Sequence, residues 1–318
     1  YWVKGPGDFY RTTTGGTWET LATPPGYFWD WGNMSGSLAY APTLGTQGSL
    51  LAYIRPGGVG QLLVYNIAST NWSTHLNDKF GNTGFVVAGN DLFSNVHASD
   101  TNQGGALAQI DLLDLDAPYC TRSSIKTSML GQNSNWFSRV VQMANVGGMI
   151  YGIKNDWQTN PPGTGDRFYR FDPAEYSPNF YIGPNWDDWT DPPNLTPAED
   201  LGPLPIEPGY GSAVVTLPPN WKSPVIGPLG GVFVLFGRSN ADHEGWGGVT
   251  DRYGVYDIAQ DKWTLGILPA FSSSGSAACF HNGEVWIKQG CSNSTNPDSD
   301  PTATFWVTGA VIPPINKP

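Results

Sequence analysis

The chain has 318 residues, of which 39% are apolar and only 14% charged, with 40 Gly, 27 Pro and 14 each of Trp, Tyr and Phe. A formal net charge of −11 argues against a nucleic-acid partner, which needs a basic face, and against an anionic membrane surface. No apolar run approaches the roughly 20 residues of a membrane-spanning helix, and long apolar stripes of helical period are absent, so a turn-rich all-β chain is expected.

The strands are expected in groups. "YWVKG", "DFYRTTT" and "TWETLATPP" open the chain as the last three strands of a four-strand unit. A complete unit follows in "GSLAYAP", "SLLAYIRPGG", "QLLVYNIA" and "NWSTHL", and a second in "GFVVAGND", "LFSNVHAS", "LAQIDLLDLD" and "YCTRSSI". The third runs from "SRVVQMANVGG" through "MIYGIKND" and "DRFYRFDPA" to "LGPLP", with a long acidic insertion before its last strand. The fourth is "GSAVVTLPP", "VFVLFGRS", "RYGVYDIA" and "KWTLGILP". The fifth has three strands, "GSAACFHNG", "EVWIKQGC" and "TATFWVTG", before a Pro-rich tail over 311–318 that reads as extended.

One spacing recurs. Tyr65 precedes Trp72 by seven residues, and Tyr256 precedes Trp263 by the same seven. An odd spacing across a tight polar turn can place both rings on one face of a hairpin, where they would pack against the next unit. A four-stranded meander cannot bury both faces alone, whereas radial stacking of such units does. The expected fold is therefore an all-β β-propeller of four-stranded antiparallel blades over 1–310, with six blades favoured and five as the alternative. In the five-blade version the N- and C-terminal pieces merge into one sheet. The Tyr65…Trp72 and Tyr256…Trp263 pairs, with Trp18 and Trp263 opening "WETL" and "WTLGILP", resemble the kelch / galactose-oxidase-like β-propeller family. The resemblance implies the propeller. The family's double glycine after the second strand is approached only at Gly57-Gly58; the other copies carry Lys154-Asn155, Gly237-Arg238 and Gln289-Gly290.

For chemistry, the resemblance raises two enzyme classes. A copper radical oxidase uses two Tyr and two His, but His75, His97, His243 and His281 are isolated and no copper motif can be matched. A propeller glycosidase needs paired carboxylates, and the first strands "SLAYA", "FVVAGN", "RVVQMA", "SAVVT" and "SAACF" contain no Asp or Glu. No catalytic residue is assigned. No cofactor is expected; the acidic segments 185–191 and 296–301 leave Ca2+ as an alternative, without a recognised loop spacing. Cys120, Cys279 and Cys291 make no framework, and buried free thiols are expected. "CFHNGEVW" reads as a hairpin turning at Asn282-Gly283 with Cys279 opposite Trp286.

The aromatic loops carry the binding expectation. Trp29, Trp31, Trp157, Trp186, Trp189 and Trp246 lie in loop-like segments beside acids, amides or glycines. Such surroundings suit a protein interface or a sugar ring. The sequons at Asn33, Asn71, Asn194 and Asn293 are candidate glycosylation sites. The chain begins at Tyr1 and reads as processed or as a piece of a longer protein. The expected protein is thus extracellular and non-enzymatic, a binding or structural scaffold for protein partners or copies of itself. A carbohydrate-binding lectin is the alternative, and an enzyme the third reading.

Overall fold

The computed structural model describes residues 1–4, 8–12, 17–25, 38–54, 61–76, 80–96, 106–115, 121–123, 142–154, 167–175, 199–208, 211–237, 250–272, 276–288, 305–307 and 310–312. These build six antiparallel sheets, each a meander of strands consecutive in the chain. The chain divides into two units, Tyr1–Gly32 with Gly36–Trp136 and Asp172–Ala198, and Asn33–Ser35 with Phe137–Phe171 and Glu199–Pro318.

The first unit holds three sheets. They are β1 (Trp2–Lys4) to β3 (Trp18–Thr20) around β2 (Asp8–Thr12); β4 (Leu38–Ala41), β5 (Ser49–Ile54), β6 (Gln61–Asn66) and β7 (Asn71–Leu76); and β8 (Phe80–Ala88), β9 (Asp91–Val96), β10 (Ala106–Asp111) and β11 (Thr121–Ser123). The second unit also holds three. They are β12 (Gln142–Val146), β13 (Met149–Lys154), β14 (Arg167–Phe171) and β15 (Glu199–Pro203); β16 (Ala213–Leu217), β17 (Gly231–Leu235), β18 (Thr250–Asp257) and β19 (Lys262–Ser272); and β20 (Ala277–His281), β21 (Glu284–Lys288), β22 (Phe305–Val307) and β23 (Ala310–Ile312).

Side-chain alternation sets the faces. β16 buries Ala213, Val215 and Leu217 and leaves Val214 and Thr216 partly exposed, the period of two that a strand imposes. β17 is buried along its whole length, because both faces of this second strand are covered; it accordingly reads as an unbroken apolar run. Cores form between neighbouring sheets. Ala41, Leu51, Leu62 and Val64 meet Phe85, Leu92 and Ile110 in the first unit, and Val215, Phe233, Leu235 and Val255 meet Val285 and Ile287 in the second. First strands lie beside first strands: Thr216 of β16 donates through Oγ1 to the Asn145 carbonyl of β12 at 2.8 Å.

Several expectations change. Among the described residues six four-stranded blades are not built: five sheets have four strands, and β1–β3 has three. The five-blade alternative needs the terminal pieces to share a sheet, yet the C-terminal sheet fills its own four places, because β23 pairs with β22 from Phe305↔Ile312 to Val307↔Ala310. The segment read as tail thus contributes its first residues to a strand. The hairpin at Asn282-Gly283 forms as expected, with Cys279 opposite Trp286 and positive φ at both turn residues (50° and 81°), the two-residue turn that suits strand twist. Cys279 itself is an exposed free thiol, not a buried one, because it lies on the open face of β20; Cys120 and Cys291 lie outside the described residues.

Candidate functional site: an aromatic joint built twice

The seven-residue spacing has a direct structural basis. "YNIASTNW" and "YDIAQDKW" share Tyr, Ile, Ala and Trp at the same positions. In both hairpins the Tyr and Trp stand directly opposite each other in register, Tyr65↔Trp72 and Tyr256↔Trp263. Opposed residues share a face of the sheet, so the rings meet, with centroids 5.1 Å apart in the first pair and 5.2 Å in the second.

A neighbouring sheet supplies the third ring. Phe9 of β2 lies 4.8 Å from Tyr65 and 5.0 Å from Trp72. Phe168 of β14 lies 4.8 Å from Tyr256 and 4.9 Å from Trp263. A fourth ring stacks behind, Tyr1 on Phe9 and Tyr151 on Phe168, each at 5.9 Å. Tilted and edge-on rings at these separations gain beyond their area burial, about 0.5–1.5 kcal/mol per pair. Trp72 also donates its Nε1–H to the Ala22 carbonyl at 2.8 Å, a second tie to the preceding sheet.

A polar rim is repeated with the rings. Arg11 pairs with Glu19 and Arg170 with Glu199, both at 2.6 Å and both directly opposite in register. The carboxylate first, then a hydrogen bond to the Tyr1 or Tyr151 hydroxyl, holds each guanidinium charged and raises its pKa. The pairs are largely solvated, so they orient the rim more than they stabilise it.

The turn before the second strand docks on the same hairpin. "LGTQGSLL" and "IGPLGGVF" place Gly45 and Gly227 against the residue after the joint tyrosine. A Cβ on Gly45 would fall 2.8 Å from Asn66 Nδ2, and one on Gly227 3.2 Å from Asp257 Oδ1. Three residues on, Gly48 and Gly230 adopt φ of 76° and 81° and accept hydrogen bonds from the amides of Ile67 and Ile258. This Gly-x-x-Gly turn lies before the second strand, not after it where the double glycine of the resemblance would fall, and it is legible when the two stretches are aligned.

The copies differ at one buried atom. The Tyr256 hydroxyl donates to Asp261 Oδ1 at 2.5 Å. Thr70 occupies the place of Asp261, both residues with positive φ (58° and 50°), and the Tyr65 hydroxyl, although buried, has no hydrogen-bond partner among the described residues. Burial raises the pKa of both tyrosines, and Asp261 adds to the rise at Tyr256.

A second clasp lies within the second unit. Trp221, in the segment between β16 and β17, donates its Nε1–H to the Gly283 carbonyl at 2.7 Å, and Lys222 pairs with Glu284 at 2.8 Å. This indole was not singled out from the sequence, because a Trp in a Pro-rich segment carries no periodic signal.

Of the expected site residues, Trp29, Trp31, Trp157, Trp186, Trp189 and Trp246 lie outside the described residues, as do Asn33, Asn194, Asn293 and the acidic segments 185–191 and 296–301. Asn71 is exposed at the first position of β7. His75 hydrogen-bonds to Ser73 and His281 packs on Trp286; His97 and His243 are outside the described residues. Among the described residues no three His, Cys, Asp or Glu side chains gather where they could hold a metal ion.

No family model matches the chain, and no curated protein matches it. The kelch label therefore does not carry over from the resemblance. Solved structures do match. A Penicillium chrysogenum α-L-arabinanase complexed with arabinobiose aligns at 13% identity and TM-score 0.52 over 88% of this chain and 79% of its own. A chain of a nidogen/laminin complex aligns at 9% identity and TM-score 0.56 over 98% of this chain and 91% of its own. At these identities the likeness shows the fold alone, and that fold is the all-β propeller.

Proposed function

We propose that this chain is a secreted, non-enzymatic scaffold that binds proteins or copies of itself. The observation that supports this reading is what the repeated residues do. Tyr65, Trp72 and Phe9 in one copy, and Tyr256, Trp263 and Phe168 in the other, join neighbouring sheets. The residues shared between copies build a frame and not a reactive centre. The first strands β4, β8, β12, β16 and β20 are free of Asp and Glu in sequence, which weakens a glycosidase reading. A frame of this kind frees its loops to carry recognition, and Trp31, Trp186 and Trp189, expected in loops from their sequence surroundings, have the aromatic character of interface anchors.

Carbohydrate binding is the second reading. It is favoured by "GPNWDDWTD", where Trp186 and Trp189 flank acids that suit sugar hydroxyls beside a flat apolar ring. One preparation separates the two. Sedimentation of the purified chain over a dilution series is expected to show concentration-dependent assembly, weakened by Trp189→Ala, while a glycan array stays blank. A monomer at all concentrations that retains a glycan, and loses it in Trp189→Ala, overturns the scaffold in favour of the lectin.

A further inference from the structure

We propose that Asn71 is an acceptor for an N-linked glycan, presented by the outer corner of the sheet β4–β7. Asn71-Trp72-Ser73 is a sequon, and the fold decides how its three side chains are displayed. Asn71 is the first residue of β7, directly after the turn that holds Thr70 at φ 58°. Strand alternation sends Asn71 and Ser73 to one face and Trp72 to the other. Asn71 and Ser73 are accordingly exposed, while Trp72 turns inward onto Phe9 and Tyr65. The amide and the hydroxyl that define a sequon thus share an open face, and the intervening indole is occupied by the joint.

The second copy of the joint supports the assignment independently. Lys262 holds the place of Asn71 at the first position of β19 and is also exposed, with Trp263 turned inward beside it. A corner that keeps a lysine in solvent has room for a sugar. Moreover, among the described residues β7 ends its sheet and pairs with β6 alone. An end strand exposes unpaired backbone groups to edge-to-edge pairing, and a glycan at Asn71 would shield that edge. In the transfer, the Asn71 amide nitrogen bonds to the anomeric carbon of an oligosaccharide. A lipid diphosphate leaves, and the amide loses one proton. The donor is a lipid-diphosphate-linked oligosaccharide of the secretory pathway.

For its occurrence in the native cell the inference rests on the secreted reading above, but its test supplies the pathway itself. The whole chain, given a cleavable leader, is expressed in insect cells and recovered from both the medium and the membrane-enclosed fraction. Amidase release of N-glycans in ¹⁸O-water marks each occupied Asn as a labelled Asp, read by peptide mass spectrometry. The expected result is label at position 71 in the majority of molecules and none there in Asn71→Gln. Lys262→Asn completes a sequon with Thr264 at the equivalent corner and is expected to gain a glycan. An unlabelled Asn71 peptide in both fractions overturns the proposal. An unlabelled Lys262→Asn peptide beside a labelled Asn71 overturns the claim that the corner is what presents the acceptor. Either failure leaves the scaffold reading standing, since that is judged by assembly and not by glycan.

Discussion

The ring of Phe168 stands edge-on to that of Tyr256, with centroids 4.8 Å apart and planes at 69°. The two residues belong to different sheets, so this contact carries sheet-to-sheet cohesion. Phe168 is fully buried, and removing a buried phenyl leaves a cavity that the surrounding strands fill only in part. Phe168→Ala is expected to cost about 3–5 kcal/mol, a large share of a typical domain's stability. Urea unfolding would register it as a lowered midpoint, and the matching Phe9→Ala should behave alike. A midpoint unchanged in both would refute the joint as a cohesive element.

The same substitution should have different consequences at the two joint tyrosines. Tyr256→Phe deletes a hydrogen bond to the Asp261 carboxylate and is expected to cost about 1.5–3 kcal/mol. Tyr65→Phe deletes a buried hydroxyl that has no hydrogen-bond partner among the described residues and is expected to be neutral or stabilising. Thr70→Asp imports the missing acceptor and replaces a β-branched residue at positive φ, with an expected gain of about 1 kcal/mol. That gain should shrink in the Tyr65→Phe background, which a double-mutant cycle measures. Equal costs for Tyr65→Phe and Tyr256→Phe would contradict the assignment.

Gly152 shows the opposite pressure, toward emptiness. A Cβ there would lie 2.6 Å from the ring of Tyr169, its register partner on β14, and that ring is buried and cannot swing away cheaply. Gly152→Ala is expected to destabilise by about 1–3 kcal/mol through overpacking. Tyr169→Leu, which shortens the obstructing side chain, should recover part of the loss in the double variant. Thermal melts of the three variants decide it.

The sequence made the strands and the Tyr-to-Trp pairs legible because alternation and opposed register are local properties. Trp72 and Trp263 could be placed on strands and given a packing role from spacing alone. Phe9 and Phe168 could not be named as their partners, since nothing local says which ring of a neighbouring sheet will arrive. The Gly45 and Gly227 turns were hidden for a different reason: their constraint is a close approach to Asn66 and Asp257, which lie about 20–30 residues away in sequence. Strand β23 was masked by the prolines that follow it; a short edge strand can end at a proline, which has no amide to donate. The tryptophans proposed as anchors sit beside acids, amides and glycines, surroundings without the alternation that places Trp72 and Trp263 on strands.

The buried tyrosines make the fold sensitive to alkali. Burial raises the pKa of Tyr169, and burial with the Asp261 hydrogen bond raises that of Tyr256. In the unfolded chain a tyrosine titrates near pH 10. Above that pH the unfolded state has released protons that the native state retains, so stability is intact below about pH 10 and falls as pH rises toward the folded pKa. Each such tyrosine contributes a slope of up to about 1.4 kcal/mol per pH unit in that window. Urea midpoints between pH 8 and pH 11 should therefore drop steeply at the alkaline end. Tyr169→Phe removes one of the groups and should flatten the drop without altering the curve below pH 9. A variant curve that runs parallel to the parent through pH 11 would mean that the Tyr169 hydroxyl ionises as readily in the fold as out of it.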